Sequence, residues 1–192
     1  MNGGRVAARV VAAVAAVLVT LAIASCGDDA GPGASTDAPP ATTAPTTAPA
    51  TTAPATAAVS IFMPRGDPGS DCDDVHAVPR TVPAPAVLRG AIAALLEGPT
   101  AAERQQGYGG WFSAATAGSL RSVRIRDGVA HIDLADLRTV IPNASTSCGS
   151  ALLLAQLDRS ATQFGTVRRA VYSFDGDVAA FYEWLQREAP PG

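Results

Sequence analysis

The stretch LRSVRIRDGVAHIDL, residues 120–134, decides the fold of this chain. Its residues alternate between apolar and polar on both sides of Asp127-Gly128. Such alternation around an Asp-Gly pair is a strong signal for a β-hairpin with a tight turn. Because the side chains of a strand alternate between its two faces, Val123 and Ile125 share one face. The stretch therefore predicts a strand on each side of the turn, with one apolar face.

The segments around this hairpin predict helices and further strands. Apolar residues recur at helical spacing in three segments, and the first of these ends at Gly98-Pro99, a typical helix stop. The predicted helices cover residues 85–97, 150–163 and 177–188, and the predicted strands outside the hairpin cover 59–63 and 167–174, with an edge or irregular strand at 75–82. This order predicts an α+β fold, a two-layer sandwich with helices on one face of a small, mostly antiparallel sheet and a C-terminal helix after it.

The N-terminus has the features of a bacterial secretion signal. Arg5 and Arg9 supply positive charge, and residues 10–24 are almost wholly apolar. This apolar run suits the core of a signal peptide and is short for a membrane-spanning helix, which needs about 20 residues. Small residues then precede Cys26, in a pattern that resembles the lipobox, whose cysteine takes a diacylglyceryl group and becomes the new N-terminus. We therefore expect residues 1–25 to be a lipoprotein signal peptide and Cys26 to carry lipid.

The segment after the signal is low in complexity. Residues 26–58 are rich in Pro, Thr and Ala and contain no aromatic residue. Such a composition buries too little apolar surface to offset the entropy of ordering, so we expect a disordered linker. The remaining residues, 59–192, suit a single domain.

The folded part resembles the GerMN domain of sporulation and spore-germination proteins. The resemblance rests on LLEGPT at 95–100, LRSV at 120–123, HIDL at 131–134 after the Asp-Gly turn, AQL at 155–157, TQFGTV at 162–167 and FDG at 174–176. One departure is Gly165-Thr166, where the family often has Pro-Gly. The resemblance implies a βαββαβ-like fold similar to the ring-building motif of envelope assemblies. It also implies an exported interaction module with no catalytic residues or cofactor to assign.

Two cysteines fall in the folded part, Cys72 and Cys148. Cysteines in an oxidising compartment usually pair, so we expect a disulfide between them. The alternative makes Cys72 a nucleophile with His76 as its base. Three neighbouring acids would raise the pKa of that thiol, which is the wrong direction for a thiolate.

The loop after the first strand is acidic. Asp67, Asp71, Asp73 and Asp74, with His76, are residue types that bind metals. Their spacing matches no calcium loop, so a solvated acidic loop is the simpler interpretation, and we assign no metal.

Aromatic and basic residues supply the other candidates. Trp111 and Phe112 follow a Gly-rich stretch and are either core anchors or a binding platform. Four arginines on two predicted strands are expected to form one basic face of the sheet. This face is either simply exposed to solvent or binds an acidic partner. The four are Arg124, Arg126, Arg168 and Arg169.

The chain has a net charge of −3, whereas nucleic-acid-binding domains carry a basic patch and a high pI, so we expect no nucleic-acid partner.

We expect a non-enzymatic lipoprotein, anchored by lipid on the extracytoplasmic side of the cell membrane, that binds an envelope or membrane protein. The sheet edge at 75–82 and the arginine-bearing strands are the candidate surfaces. The alternative is a carrier of a small lipid or wall component, with its pocket near Trp111 and Phe112. Hydrolysis at the cell wall lacks a recognisable nucleophile or metal set.

Overall fold

A computed structural model describes residues 54–66 and 71–190 of the chain. The predicted lipid site at Cys26, the signal peptide and nearly all of the linker lie outside the described residues. Nine elements follow in the order β1 (Thr56–Met63), β2 (His76–Pro83), α1 (Val87–Leu96), α2 (Ala101–Gln105), β3 (Leu120–Arg126), β4 (Val129–Leu134), α3 (Ser147–Thr162), β5 (Arg169–Phe174) and α4 (Val178–Trp184).

The strands form two small sheets. β1 and β2 pair antiparallel over their full lengths, from Thr56 opposite Pro83 to Met63 opposite His76. The second sheet has the order β3-β4-β5, in which β3 and β4 are antiparallel and β5 runs parallel to β4. The α+β class and the mostly antiparallel pairing are confirmed, but the strands divide between two sheets where one was expected.

The predicted hairpin at 120–134 is the β3–β4 pair. Asp127 and Gly128 both have positive φ, at 49° and 75°, as a tight turn between strands requires. Val123 lies opposite Ile132 and Ile125 opposite Ala130, so these residues share the inner face. The chain crosses from β4 to β5 through α3, because parallel neighbours need a long connection.

One hydrophobic core joins both sheets to the helices. β1, α1, β4, α3 and β5 each contribute side chains with almost no exposure, including Ile61, Met63, Ile92, Leu95, Ile132, Leu134, Leu153, Leu157 and Tyr172. Core packing therefore holds the two sheets together, since no strand of one pairs with a strand of the other in the described part of the chain.

α3 also closes the outer edge of β1 with polar side chains. The Ser60 N–H donates to Gln163 Oε1 at 2.9 Å, and Gln163 Nε2 donates to the Ser60 carbonyl at 2.6 Å. The Phe62 N–H donates to Ser160 Oγ at 3.0 Å. These side chains satisfy backbone groups that a neighbouring strand would otherwise pair.

The C-terminal helix packs on this domain. Phe181 is fully buried, and its ring lies 5.3 Å from that of Tyr172 and 5.1 Å from that of Phe174, centroid to centroid. The helix is shorter than predicted and ends near Gln186, whose φ is 53°. None of the described helices is long and apolar enough to cross a membrane.

The structure joins Cys72 to Cys148 in a disulfide, with their Cα atoms 4.9 Å apart. The bond links the segment before β2 to the first turn of α3. It closes a loop with a sequence separation of 76.

The short helix α2 is fastened to β2 by an ion pair. Thr100 and Glu103 form a capping box at its N-terminus. Glu103 also accepts two hydrogen bonds from Arg80, at 2.5 and 2.7 Å, and both side chains are largely buried. This bidentate hydrogen bonding to the Arg80 guanidinium lowers the pKa of Glu103 to about 2.

We predict that replacing Cys72 and Cys148 by Ser lowers the free energy of unfolding by about 2–4 kcal/mol, because the bond restricts the unfolded chain. Chemical denaturation with and without a reductant measures this effect. Reductant should destabilise the wild-type protein by a similar amount and leave the double variant unchanged. Equal stability of both proteins in oxidising buffer would contradict the prediction.

We predict that Glu103→Gln destabilises the fold by an amount that decreases as the pH falls. Gln preserves the capping box but removes the charge, so it should cost about 1–2 kcal/mol at neutral pH. A carboxyl with a depressed folded pKa stabilises above its unfolded pKa, near 4.5, and this stability is lost as the pH falls through about 2. The difference in free energy of unfolding between wild type and variant, measured by chemical denaturation, should therefore shrink to nothing as the pH falls through about 2. Asp136→Asn, which removes an exposed ion pair with Arg138, is the control and should change stability little.

Candidate functional site

The predicted Cys–His alternative is not formed in the structure. Cys72 is bonded to Cys148, so it presents no free thiol. The His76 side chain instead lies 3.4 Å from the carboxylate of Asp74, and both groups are exposed. The two side chains are therefore neighbours on the surface of the domain.

The acidic loop does not assemble a metal site in the described residues. Asp71, Asp73 and Asp74 are all exposed. No group of three or more His, Cys, Asp or Glu side chains within 54–66 and 71–190 is placed to hold a metal ion. Asp67, also named by the sequence, lies outside the described residues.

The aromatic pair after the Gly-rich stretch belongs to the core. Phe112 is 2% exposed, and Trp111 is half-buried against the core cluster. The Trp111 backbone N–H donates to Gln156 Oε1 at 3.1 Å, and Gln156 is itself buried. Of the two interpretations left open by the sequence, core anchoring is confirmed.

A buried polar pair links α3 to β5. The Tyr172 hydroxyl donates to Asp158 Oδ1 at 2.7 Å. Burial raises the pKa of both groups, and it also raises the pKa of nearby Tyr182 to about 12. Tyr172 is 1% exposed, so this pair connects elements inside the domain and does not face a surface site.

Three of the four named arginines share the outer face of the three-stranded sheet. Arg124 on β3 lies opposite His131 on β4, and Arg126 lies opposite Val129. Val129 is in turn opposite Arg169 on β5. Arg124, Arg126 and His131 line a shallow depression of about 210 Å³. Arg168 departs from the predicted face and donates to the carbonyl of Asp127 in the hairpin turn.

An apolar groove lies on the opposite side of β3, where the inner layer is incompletely covered. It has a volume of about 420 Å³ and lies between the start of α1, the inner face of β3 and the loop that follows α3. Its lining consists of Pro85, Ala86, Val87, Leu88, Arg89, Val123, Ile125, Phe164 and Thr166. Ile125 is 44% exposed there, high for a large apolar side chain.

This groove adjoins the outer edge of β3. In the described part of the chain β3 has a strand neighbour on one side only. The sequence predicted that Val123 and Ile125 share a face, but it did not indicate that Ile125 stays uncovered. The packing of α1 and of Phe164 decides that, and neither is near Ile125 in sequence.

Comparison with known proteins agrees with the resemblance read from the sequence. The family model Germane, described as sporulation and spore germination, matches residues 61–179. Two solved structures from Bacillus subtilis are similar to the chain: the first GerMN domain of the sporulation protein GerM and the tandem GerMN domains of the same protein.

The single-domain structure is 15% identical with a TM-score of 0.42, and the match covers 64% of this chain and 85% of that one. The tandem structure is 15% identical with a TM-score of 0.45, and the match covers 72% of this chain and 45% of that one. No curated protein matches the chain. Since the family model matches more than half of its residues, the chain belongs to the Germane family of sporulation and spore-germination domains.

Proposed function

We propose that this protein is exported, anchored to the membrane by lipid on Cys26, and that its domain binds another protein without catalysing a reaction. The observation that carries the proposal is the open edge of β3 (Leu120–Arg126) beside an open apolar groove. Exposed sheet edges and exposed apolar surface are features that proteins use for binding partners.

The proposed export is supported by chemistry in two separate parts of the chain. The segment before Cys26 has the charge, the apolar core and the small residues of a lipoprotein signal. The disulfide between Cys72 and Cys148 belongs to the kind of bond that persists in oxidising compartments. Two acyl chains on Cys26 would hold the protein on a membrane firmly.

The proposed lack of catalysis rests on the bonding of the side chains that could act as nucleophiles, acids or bases. Cys72 is used in the disulfide, and His76 is paired with Asp74 on the surface. The buried pair of Asp158 and Tyr172 bonds within the domain. None of these groups lines the apolar groove.

The carrier alternative has one observation in its favour. The groove, at about 420 Å³, falls within the volume range of small-molecule sites. Such sites bury most of the ligand, whereas this groove opens along β3 and exposes Ile125. Protein binding therefore accounts better for its shape, and the alternative becomes an outcome of the crosslinking test below.

We predict that Cys26→Ser abolishes membrane anchoring. Full-length protein made in a bacterium that processes lipoproteins should partition with membranes, and mass spectrometry of its N-terminal peptide should show a diacylglyceryl-modified Cys26. The Cys26→Ser variant should carry no lipid. Cys148→Ser, which also removes one cysteine, should still be lipidated. An unmodified Cys26 thiol in the mature wild-type protein would contradict the anchor.

We predict that crosslinking the lipidated wild-type protein in its own host yields defined adducts with a protein. The adducts should form reproducibly and should be lost when an excess of uncrosslinkable protein competes. Recovery of lipid or glycan alone would contradict the protein-binding proposal and would support the carrier.

A further inference from the structure

Within the described residues, the domain has four outer strand edges, and they differ in how they are closed. Gln163 and Ser160 satisfy the edge of β1. β5 is packed by α4, and the Phe174 N–H donates to the Asp177 carbonyl at 3.0 Å just before that helix. β2 carries Pro79 and Pro83, which have no N–H to donate.

The edge of β3 has no such closure along most of its length. Arg89 donates to the Arg121 carbonyl at 3.4 Å, at the bulge where the register between Leu120 and Ser122 shifts. From Ser122 to Arg126, the described residues supply neither a second neighbouring strand nor a side-chain hydrogen bond to this edge. A short strand of about five residues would fit there.

The side chains of β3 indicate what chemistry that strand would have. An added strand points alternate side chains to the two faces of the sheet. On the inner face they would meet Val123, Ile125 and the apolar groove. On the outer face they would meet Arg124 and Arg126, both exposed and without an ion pair among the described residues.

The same charges disfavour a second copy of β3 as the occupant. Pairing β3 with itself would bring Arg124 and Arg126 close to their own counterparts, and like charges on facing strands repel. Charged residues and bulges at sheet edges commonly prevent self-pairing in this way. A strand with carboxylates at alternate positions would instead be attracted.

We propose that the edge of β3 accepts an extended segment of a partner protein in which apolar and acidic residues alternate. The backbone of the segment would pair with β3, its apolar side chains would enter the groove beside Ile125, and its carboxylates would meet Arg124 and Arg126. This inference rests on the proposed protein-binding function and assigns its surface.

The probe is a fluorescein-labelled synthetic peptide, Glu-Val-Glu-Leu-Glu-Val-Glu-Leu, titrated with the full-length lipidated protein in detergent micelles at low salt. Fluorescence anisotropy should show saturable binding. The same peptide with Lys in place of Glu should not bind. A peptide with the original side chains but N-methylated alternate amides should also fail, because it cannot pair along a strand.

Variants test the surface without disturbing the core. The double variant Arg124→Glu/Arg126→Glu should weaken binding of the Glu peptide roughly tenfold or more and should gain affinity for the Lys peptide. Ile125→Ser should weaken binding of the Glu peptide, because it removes apolar surface from the groove. The matched controls are Arg159→Glu, an exposed arginine on α3, and Val140→Ser, 38% exposed in the segment between β4 and α3. Both should bind as wild type.

The inference would be overturned by equal binding of the Glu and Lys peptides, by equal binding of the N-methylated peptide, or by self-association of the protein that requires Ile125. Host crosslinks that form equally with the β3 variants would also overturn it while leaving the protein-binding function intact. Loss of all protein adducts from the wild type would refute that function itself, so the two failures are distinguishable.

Discussion

The two-way hydrogen bonding between the Gln163 amide and the Ser60 backbone ends the first sheet at β1, and the shared core holds that sheet against the rest of the domain. Its donor and acceptor take the place of a neighbouring strand at the edge of β1. Ser160, one turn earlier, does the same for Phe62. Because the two sheets share no strand pairing among the described residues, α3 aligns them: it closes β1 on one side and bonds to β5 through Asp158 and Tyr172 on another.

Because α3 lies against β1 and β5, the strand edges of the domain differ in how they are closed. Side chains close the edge of β1, the Phe174 N–H at the edge of β5 donates to the Asp177 carbonyl, and β2 carries prolines. β3 is the strand whose edge faces outwards beside uncovered apolar surface. Its arginines discourage pairing with a copy of itself but not with an acidic segment. The proposed docking function draws on this open edge of β3.

Local signals in the sequence were enough to predict much of the fold. Asp127-Gly128 predicts the β3–β4 turn because positive φ is tolerated there, and Gly98-Pro99 predicts the end of α1. Gly98 has a φ of 75°, and a Cβ on it would lie 2.3 Å from the Phe112 carbonyl oxygen. Both the backbone conformation and the lack of space for a side chain therefore require glycine at this position. The capping box at Thr100 and Glu103 is equally local.

Other features depend on contacts between residues far apart in sequence. Gln163 closes the edge of β1 by bonding to Ser60, which is 103 residues away, and no local sequence pattern predicts that bond. The ion pair between Arg80 and Glu103 could not be predicted either, because it also joins residues that are far apart in sequence. The groove depends on where Phe164 and the start of α1 stop covering Ile125. The arginine face was predicted from alternation, whereas the departure of Arg168 to the hairpin turn was not.

Ser160 of α3 and the following Gln163 close the edge of β1, whereas the edge of β3 stays open. Amide hydrogen exchange, followed residue by residue by NMR, measures this difference. We expect slow exchange at Ser60 and Phe62 in the wild-type protein, fast exchange at both in the Ser160→Ala/Gln163→Ala variant, and fast exchange at the β3 amides that do not bond to β4. Equally fast exchange at Ser60, Phe62 and these β3 amides in the folded wild type would contradict it.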